Sequence, residues 1–329
     1  MNTKKTEKDW IRSLATGRTA SQQVEEEPKK KASAKVETKQ KPCTTKKSKG
    51  FDEVAGMDDL KKLVTESFIN VLRNRECAEA YGIKPPNLLL YGPSGCGKTY
   101  FAESLANELD VTFMKVVPDD IASTLVHGTQ QMIGELFKKA EKSAPCILFL
   151  DEVDAMCPQR SADDRNYQNG EVNEFLTCLN NSAEKGIYVL AATNHPERID
   201  RAILRTGRID EIIYVDMPDK QARESLFRLS LSKVPTADNI DYSKLGDLTQ
   251  GYNCSDISYI VKVASRKMFN ESIAEKDKPY KVITQSLLEE SIAGKSPSVS
   301  SKDLREYERI RSEFSPKDAG VKHQSIGFH

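Results

Sequence analysis

A glycine-rich octapeptide, Gly92-Pro93-Ser94-Gly95-Cys96-Gly97-Lys98-Thr99, has residue types and spacing suited to holding phosphate groups. It fits the pattern GxxxxGK[ST] and stands directly after a predicted strand and before a predicted helix, the context that this pattern requires. Its glycines let backbone N–H groups point inward at the start of a helix, where anions bind. We expect Lys98 to reach the β- and γ-phosphates and the Thr99 hydroxyl to hold Mg²⁺. The alternative is a glycine-rich turn with a chance lysine.

Two adjacent carboxylates, Asp151 and Glu152, follow the apolar run Cys146–Leu150. An apolar strand delivers the side chains at its carboxyl end to the crevice where ligands of open α/β sheets bind. Asp151 is placed to position Mg²⁺ through its water shell, and Glu152 to polarise the attacking water as a general base. The alternative is a helix N-cap next to a surface charge.

Alternating apolar and amphipathic stretches from Phe51 onward predict strands interleaved with helices. This alternation is typical of a parallel sheet covered on both faces. After Pro218 the strand pattern stops and helical patterns remain. We therefore expect an α/β nucleotide-binding domain at 51–217 and a small all-helical lid domain at 218–314. The predicted strands are Asn87–Tyr91, Val111–Val117, Cys146–Leu150, Gly186–Ala192 and Glu211–Val215, and the predicted lid helices are Lys220–Leu231, Ser255–Ile273, Gln285–Ile292 and Ser301–Phe314.

The charge balance differs between the two ends of the chain. The 329 residues carry 49 basic and 49 acidic side chains, but residues 1–50 hold 14 lysines and arginines against 6 acidic residues. Ser21–Lys49 contains no aromatic residue and no Ile, Leu or Met, so we expect residues 1–50 to be a disordered Lys-rich tail. This tail is either a solvated linker or a basic arm for an acidic partner, and Trp10 could belong to a short partner-binding helix. Residues 315–329 are expected to be a flexible C-terminus.

Several classes of protein are excluded by composition. The chain has no run of 18 apolar residues, so no transmembrane helix is expected, and no apolar signal segment follows Met1. The seven cysteines lack CxxC spacing, which favours reduced thiols and a cytoplasmic location. The absence of HExxH excludes a fused zinc peptidase of that type.

With these residues in place, the chain from about Phe51 to Phe314 resembles the AAA ATPases, specifically the katanin, spastin and valosin-containing-type unfoldases. The most specific stretch is Ala191–Asp219. The resemblance implies a single module with the P-loop NTPase (AAA+) fold. It also implies that Asn194 orients water near the γ-phosphate, and that Arg205 and Arg208 are arginine fingers for a neighbouring subunit's ATP. The alternative for the arginines is a solvated basic turn.

The same resemblance implies an adenine pocket between the two domains. Phe51–Gly56 is similar to the family's adenine-side entry segment, with Ala55 in place of a glycine. Leu226 and Ser230 fall one helical turn apart where the family lines the pocket from the lid, although packing alone could explain them.

A second lid segment, Gly251–Asp256, resembles one usually written GxxGAD. Here Cys254 and Ser255 replace Gly-Ala, and we expect Ser255 to lie at the nucleotide. Ser298-Val299-Ser300, followed by Asp303-Leu304 and Tyr307-Glu308, is similar to the C-terminal helix of the katanin and valosin-containing groups, which in the family helps to hold neighbouring subunits together.

The pore loop of the family is normally aromatic–aliphatic–Gly. The matching positions here are Leu125, Val126 and His127. Leu125 offers less apolar contact area than an aromatic residue, so threading of substrate stays open. His127 either titrates near neutral pH or is a solvated loop residue.

The resemblance implies an ATPase, converting ATP and water to ADP and phosphate with Mg²⁺, that assembles as a homo-oligomer, a hexameric ring. We expect it to remodel, unfold or disassemble a protein substrate, whose identity the sequence does not reveal. The alternative is an ATP-gated scaffold that assembles with nucleotide without threading a chain. A third hypothesis, a nucleic-acid-dependent ATPase, is supported by the Lys-rich tail alone.

Overall fold

A computed structural model describes residues 50–122, 128–159, 167–180, 182–205, 207–274 and 280–314, with the side chains of 167–169 left out. The predicted Lys-rich tail with Trp10 and the predicted flexible C-terminus therefore lie outside the described residues. Among the helices that are described, none combines the length and the apolar character needed to cross a lipid bilayer.

Five parallel strands form one sheet in the order β2-β3-β4-β1-β5. The central strand β4 pairs with β3 on one side and with β1 on the other, where Leu88 lies opposite Leu190. This sheet confirms the predicted α/β class, and each predicted strand is found within two residues of its expected ends. The strands are β1 (Leu88–Tyr91), β2 (Thr112–Val116), β3 (Cys146–Leu150), β4 (Ile187–Thr193) and β5 (Glu211–Tyr214).

Helices surround the sheet and then continue alone towards the C-terminus. Between α1 and α2 the chain forms a π-helical turn, Thr65–Ile69. Short 3-10 helices are Gly50–Glu53, Ala183–Lys185 and Pro196–Arg198. The α-helices of the described residues are α1 (Asp58–Val64), α2 (Asn70–Arg73), α3 (Arg75–Ala80), α4 (Lys98–Leu109), α5 (Pro118–Ile121), α6 (Gly128–Lys142), α7 (Val153–Met156), α8 (Tyr167–Leu179), α9 (Lys220–Leu231), α10 (Tyr242–Leu248), α11 (Cys254–Ala274), α12 (Gln285–Ala293) and α13 (Ser301–Phe314).

Both faces of the sheet are buried because its strands are apolar on both sides. Successive strand residues point to opposite faces. Leu89 belongs to the core formed with α6 and α8, whereas Leu88 and Leu90 belong to the core formed with α1 and α4. This arrangement leaves the carboxyl edge of the strands as the place where polar side chains can gather.

The helical region after β5 has a core of its own. Phe227, Leu245, Ile260 and Leu288 from α9 to α12 are fully buried together. The apolar pattern of the sequence predicts α9, α11 and α12 but does not predict α10. That helix is only seven residues long, and its start is fixed by the Asp241 carboxylate, which accepts the Lys244 N–H at 3.0 Å.

Candidate functional site

The predicted phosphate loop, Gly92–Thr99, joins β1 to α4 at the carboxyl edge of the sheet. Gly92 has φ +146°, and a Cβ there would lie 2.2 Å from the Val215 carbonyl oxygen. Gly95 has φ +76°, which a residue with a side chain rarely adopts. Cys96 is fully buried, and burial raises its thiol pKa to about 12, so this residue offers its backbone to a ligand and not a thiolate. The backbone of the loop therefore requires glycine at positions 92 and 95.

Lys98, the first residue of α4, is buried and already fully hydrogen-bonded. Its ammonium donates to the carbonyl oxygens of Gly92 and Pro93, at 2.9 Å each, and to Oδ1 of Asn194 at 2.8 Å. Burial lowers its pKa to about 8, partly opposed by the negative charge of Asp151. An ammonium has three protons to donate. Phosphate oxygens would therefore have to replace these three acceptors.

Asp151 follows β3 and faces Thr99 at the start of α4. The Thr99 hydroxyl donates to Asp151 Oδ2 at 3.2 Å. The described residues contain no cluster of three His, Cys, Asp or Glu side chains that could hold a metal by itself. Mg²⁺ commonly takes one or two protein oxygens and completes its shell with waters and substrate phosphates. The hydroxyl and carboxylate therefore fit Mg²⁺ bound together with a nucleotide.

Lys115 of β2 is an unpredicted member of this group. Its ammonium lies 2.8 Å from the same Asp151 oxygen that accepts the Thr99 hydroxyl. Lys115 and Asp151 therefore form an ion pair next to the Thr99 hydroxyl. The available signal in the sequence is a lysine near the end of a strand that is otherwise largely apolar.

Glu152, the predicted general base, has a backbone conformation in the left-handed region, with φ +55° and ψ +47°. For a residue with a Cβ this conformation costs about 1–2 kcal/mol. Its side chain is exposed, so it is accessible to a water molecule at the sheet edge. Strained residues of this kind cluster at functional sites.

The end of β4 is held in place from two directions. The Thr193 hydroxyl donates to the carboxylate of Asp154 and accepts the His195 N–H at 2.8 Å. Between them, Asn194 contacts Lys98 through its side chain. The structure thus brings together two pairs of predicted residues, Lys98 with Asn194 and Thr99 with Asp151. Sequence reasoning missed the Thr193–Asp154 pair, although Asp154 lies in the acidic run that starts at Asp151.

The lid segment touches the phosphate loop directly. The Asn253 amide donates to the Ser94 carbonyl at 2.9 Å, and the Ser255 N–H donates to the Gly95 carbonyl at 3.1 Å. The Cys254 thiol lies 3.5 Å from the Cys96 carbonyl oxygen. Ser255 was predicted at the nucleotide. Asn253 was not, although it lies in the same lid segment.

A cavity of about 320 Å³ lies between the chain before α1 and the helix α9. Val54, Ala55 and Gly56 line one side of it, and Ser225 and Leu229 line the other. Ala55 therefore lies at the wall of a cavity, and its contact with adenine stays a prediction.

The helix α9 lines the cavity with Ser225 and Leu229, each one position before a residue predicted to line the adenine pocket. Leu226 instead packs against the helical core, and Ser230 is outside the lining. A helix turns by about 100° per residue, so a shift of one position exchanges a lining residue for a core residue. Leu226 and Ser230 are not among the residues that line this cavity, and their place at the adenine stays a prediction.

The two predicted arginine fingers lie away from the residues of the chain's own phosphate loop. Arg205 is exposed, and its guanidinium has no hydrogen-bond or ion-pair partner among the described residues. Arg208 is half-buried, and its guanidinium donates to the Ala202 carbonyl at 2.7 Å and to Asn180 Oδ1 at 3.3 Å. Neither side chain contacts Lys98, Thr99 or Asp151.

The predicted pore loop, Leu125, Val126 and His127, lies outside the described residues. The described chain resumes at Gly128, the first residue of α6. Threading therefore stays a prediction from the sequence.

Comparison with known proteins agrees with this geometry. Residues 88–217 match the family described as "ATPase family associated with various cellular activities (AAA)". The chain is also 34% identical, over 276 residues and 80% of its length, to a protein named "Cell division cycle protein 48 homolog" from Archaeoglobus fulgidus. The matched part spans 38% of the length of that relative.

Proposed function

Residues 88–217 belong to the AAA ATPase family, and on this premise we propose that the protein hydrolyses Mg²⁺-bound ATP as a ring of identical subunits and remodels protein substrates. The observation that carries the ATPase proposal is the meeting of Lys98 with Asn194 and of Thr99 with Asp151 at one sheet edge. Lys98 and Thr99 come from the start of the helix that follows β1, and Asp151 and Asn194 come from the ends of β3 and β4. Their convergence supports the proposal that phosphate, metal and attacking water are held within one crevice.

Each residue has a distinct chemical task in this proposal. Lys98 exchanges its loop carbonyls for the β- and γ-phosphate oxygens. Thr99 and Asp151 hold Mg²⁺, which when bound neutralises charge on the phosphate oxygens. Glu152 polarises the attacking water, and Asn194 orients that water.

The position of Arg205 supports the proposal that subunits assemble. Arg205 is exposed and does not contact its own phosphate loop, so it is free to enter the site of a neighbouring subunit. A guanidinium there stabilises charge on the transferring phosphoryl group. The two hydrogen bonds of Arg208 hold the turn that carries Arg205. Hydrolysis then requires at least two subunits.

Contacts between the lid and the phosphate loop support the proposal that ATP hydrolysis moves the lid. Asn253 and Ser255 hydrogen-bond carbonyls of the phosphate loop itself. A change in that loop on phosphate release therefore alters the seating of the lid. We propose that this movement, repeated around the ring, acts on the substrate.

A mixing experiment tests the proposal. Lys98→Ala protomers lack a phosphate site but retain Arg205, and Arg205→Ala protomers have the opposite defect. Each variant alone should hydrolyse ATP at no more than about 1% of the parent rate, since one catalytic contact contributes about a hundredfold or more. Mixed, they should recover measurable activity, because some sites combine an intact loop with an intact neighbour.

Two controls make the outcome clear. Mixing Lys98→Ala with Glu152→Gln should restore nothing, because both defects lie in the same subunit's site. An inactive parent at concentrations where rings form contradicts the ATPase proposal. An Arg205→Ala variant with full activity contradicts the ring requirement. Assembly with nucleotide but without hydrolysis favours the scaffold alternative.

A further inference from the structure

The C-terminal helix α13 lies against the residue proposed to orient water. The hydroxyl of Tyr307 donates to the backbone carbonyl oxygen of Asn194 at 2.8 Å. Burial raises the pKa of Tyr307 to about 12, with smaller contributions from nearby acidic groups such as Glu197, so the hydroxyl stays protonated and able to donate. Asn194 therefore has two partners from distant parts of the chain, Lys98 at its side chain and Tyr307 at its backbone.

Aromatic contacts hold α13 against the strands that carry the site. The ring centroids of Tyr91, the last residue of β1, and Phe314 lie 5.6 Å apart. Those of Tyr214, the last residue of β5, and Tyr307 lie 6.5 Å apart. The Arg311 guanidinium stands 5.1 Å from the centre of the Tyr214 ring. The Tyr307 hydroxyl is thus presented from a helix anchored along its second half.

The chain leading into α13 is fixed to the lid. Asp256 of α11 is buried, and its carboxylate accepts the Ser298 N–H at 3.0 Å and contacts the Lys295 ammonium at 2.7 Å. The start of α13 is therefore tied to the helical region, and its later part to the sheet. The helix that carries Tyr307 is therefore connected to the lid through Ser298.

We propose that Tyr307 is a positioning residue for ATP hydrolysis, which keeps the Asn194 backbone in the conformation that directs its side chain towards Lys98 and the phosphate site. This inference rests on the proposed function, because it assigns Tyr307 a part in the same reaction. Tyr307 does not touch the reacting atoms and acts through Asn194. A lid displacement that moves α13 would loosen this bond and slow hydrolysis.

The test uses the full chain with Tyr307→Phe, which keeps the ring contacts with Tyr214 and removes only the hydroxyl. We expect kcat to fall about three- to tenfold, the factor associated with losing one ordinary hydrogen bond. The Kd for ATP, measured in a Glu152→Gln background, and the size of the assembly should not change. Tyr280→Phe is the matched control, because Tyr280 is 83% exposed and should retain the parent kcat.

A double-variant cycle with Asn194→Ala separates positioning from general packing. If Tyr307 acts through Asn194, Tyr307→Phe should have no further effect once Asn194 is alanine. Additive losses, an unchanged kcat in Tyr307→Phe, or a fall in kcat explained by smaller assemblies would overturn the inference and leave the ATPase proposal standing. A parent without ATPase activity would overturn both.

Discussion

The ammonium of Lys98 and the side-chain oxygen of Asn194 lie 2.8 Å apart, joining the loop after β1 to the end of β4. These two strands are neighbours in the sheet although 96 residues separate the two side chains. The contact places the two groups assigned to the γ-phosphate and the attacking water next to each other. Both the charge state of Lys98 and the orientation of Asn194 therefore bear on nucleotide binding.

ATP affinity should fall as the pH rises through the pKa of Lys98. Burial lowers that pKa to about 8, so the free protein loses the Lys98 proton above this pH, whereas bound phosphate favours the charged form. Between about pH 7 and about pH 9 the affinity should drop about tenfold, and binding at the higher pH should take up a proton. Calorimetry in buffers of different ionisation enthalpy measures both effects.

Lys98→Arg is the control, because a guanidinium stays charged throughout this range. Its ATP affinity, although weaker, should not depend on pH. Equal affinity of the parent at both pH values would show that Lys98 stays charged in the free protein.

Glu152→Gln should bind ATP with the parent affinity but hydrolyse it at least about a hundredfold more slowly, since a positioned general base contributes about 10²–10⁴ in rate. The amide keeps the size of the side chain and cannot accept the proton of water. Phosphate release and nucleotide binding are measured on the same sample. Glu184→Gln, at an exposed glutamate paired with Lys84, should hydrolyse ATP normally. Full activity of Glu152→Gln would contradict its assigned role.

Glu152→Gly should raise the free energy of unfolding by about 0.5–1 kcal/mol while abolishing hydrolysis. Glycine removes the Cβ that makes φ +55° unfavourable, and the Glu152 side chain is exposed, so little packing is lost. Urea unfolding of the parent, Glu152→Gly and Glu152→Gln makes the comparison. Glu152→Gln should leave the unfolding free energy unchanged, because it retains the backbone conformation. A Glu152→Gly variant that is less stable than the parent would contradict the claim that the Glu152 backbone conformation is strained.

Gly95→Ala should destabilise the protein more than Gly251→Ala. Both glycines have positive φ, so each alanine costs about 1–2 kcal/mol in backbone conformation. A Cβ at Gly95 would also lie 2.6 Å from the buried Asn253 amide nitrogen, whereas a Cβ at Gly251 meets nothing within 4 Å. Overpacking adds about 1–3 kcal/mol. Urea unfolding should show this difference. Equal losses of unfolding free energy in the two variants would argue against close packing of Asn253 on the phosphate loop.

Lys115→Met should lower the Mg²⁺ concentration required for half-maximal ATP binding by about two- to fivefold, because a partly exposed ion pair contributes up to about 1 kcal/mol. The Lys115 ammonium occupies the Asp151 oxygen that faces Thr99, so it competes with a cation there. Fluorescence titration of a labelled nucleotide measures the requirement. Lys84→Met removes the exposed pair with Glu184 and should not change it. A higher Mg²⁺ requirement in Lys115→Met would mean that Lys115 assists the metal.

Prediction from sequence succeeded where a pattern is long or chemically specific. The run Cys146–Leu150 is a strand with the predicted bounds, because five buried apolar residues in a row suit the middle of a parallel sheet. It failed for α10, which is too short to show a helical period. The sequence also did not show that Ser225 and Leu229 face the cavity beside Ala55, because the rotation of α9 depends on its packing against the helical core.

The sequence by itself determined the phosphate loop, the acidic strand end and the alternation of strands and helices, because each of these depends on neighbouring residues. Tertiary structure alone decided which of these groups meet. Tyr307 reaches Asn194 across 113 residues, and Lys115 reaches Asp151 from the adjacent strand. Contacts of this kind follow from strand order and from the packing of helices on the sheet, and no local spacing in the chain encodes them.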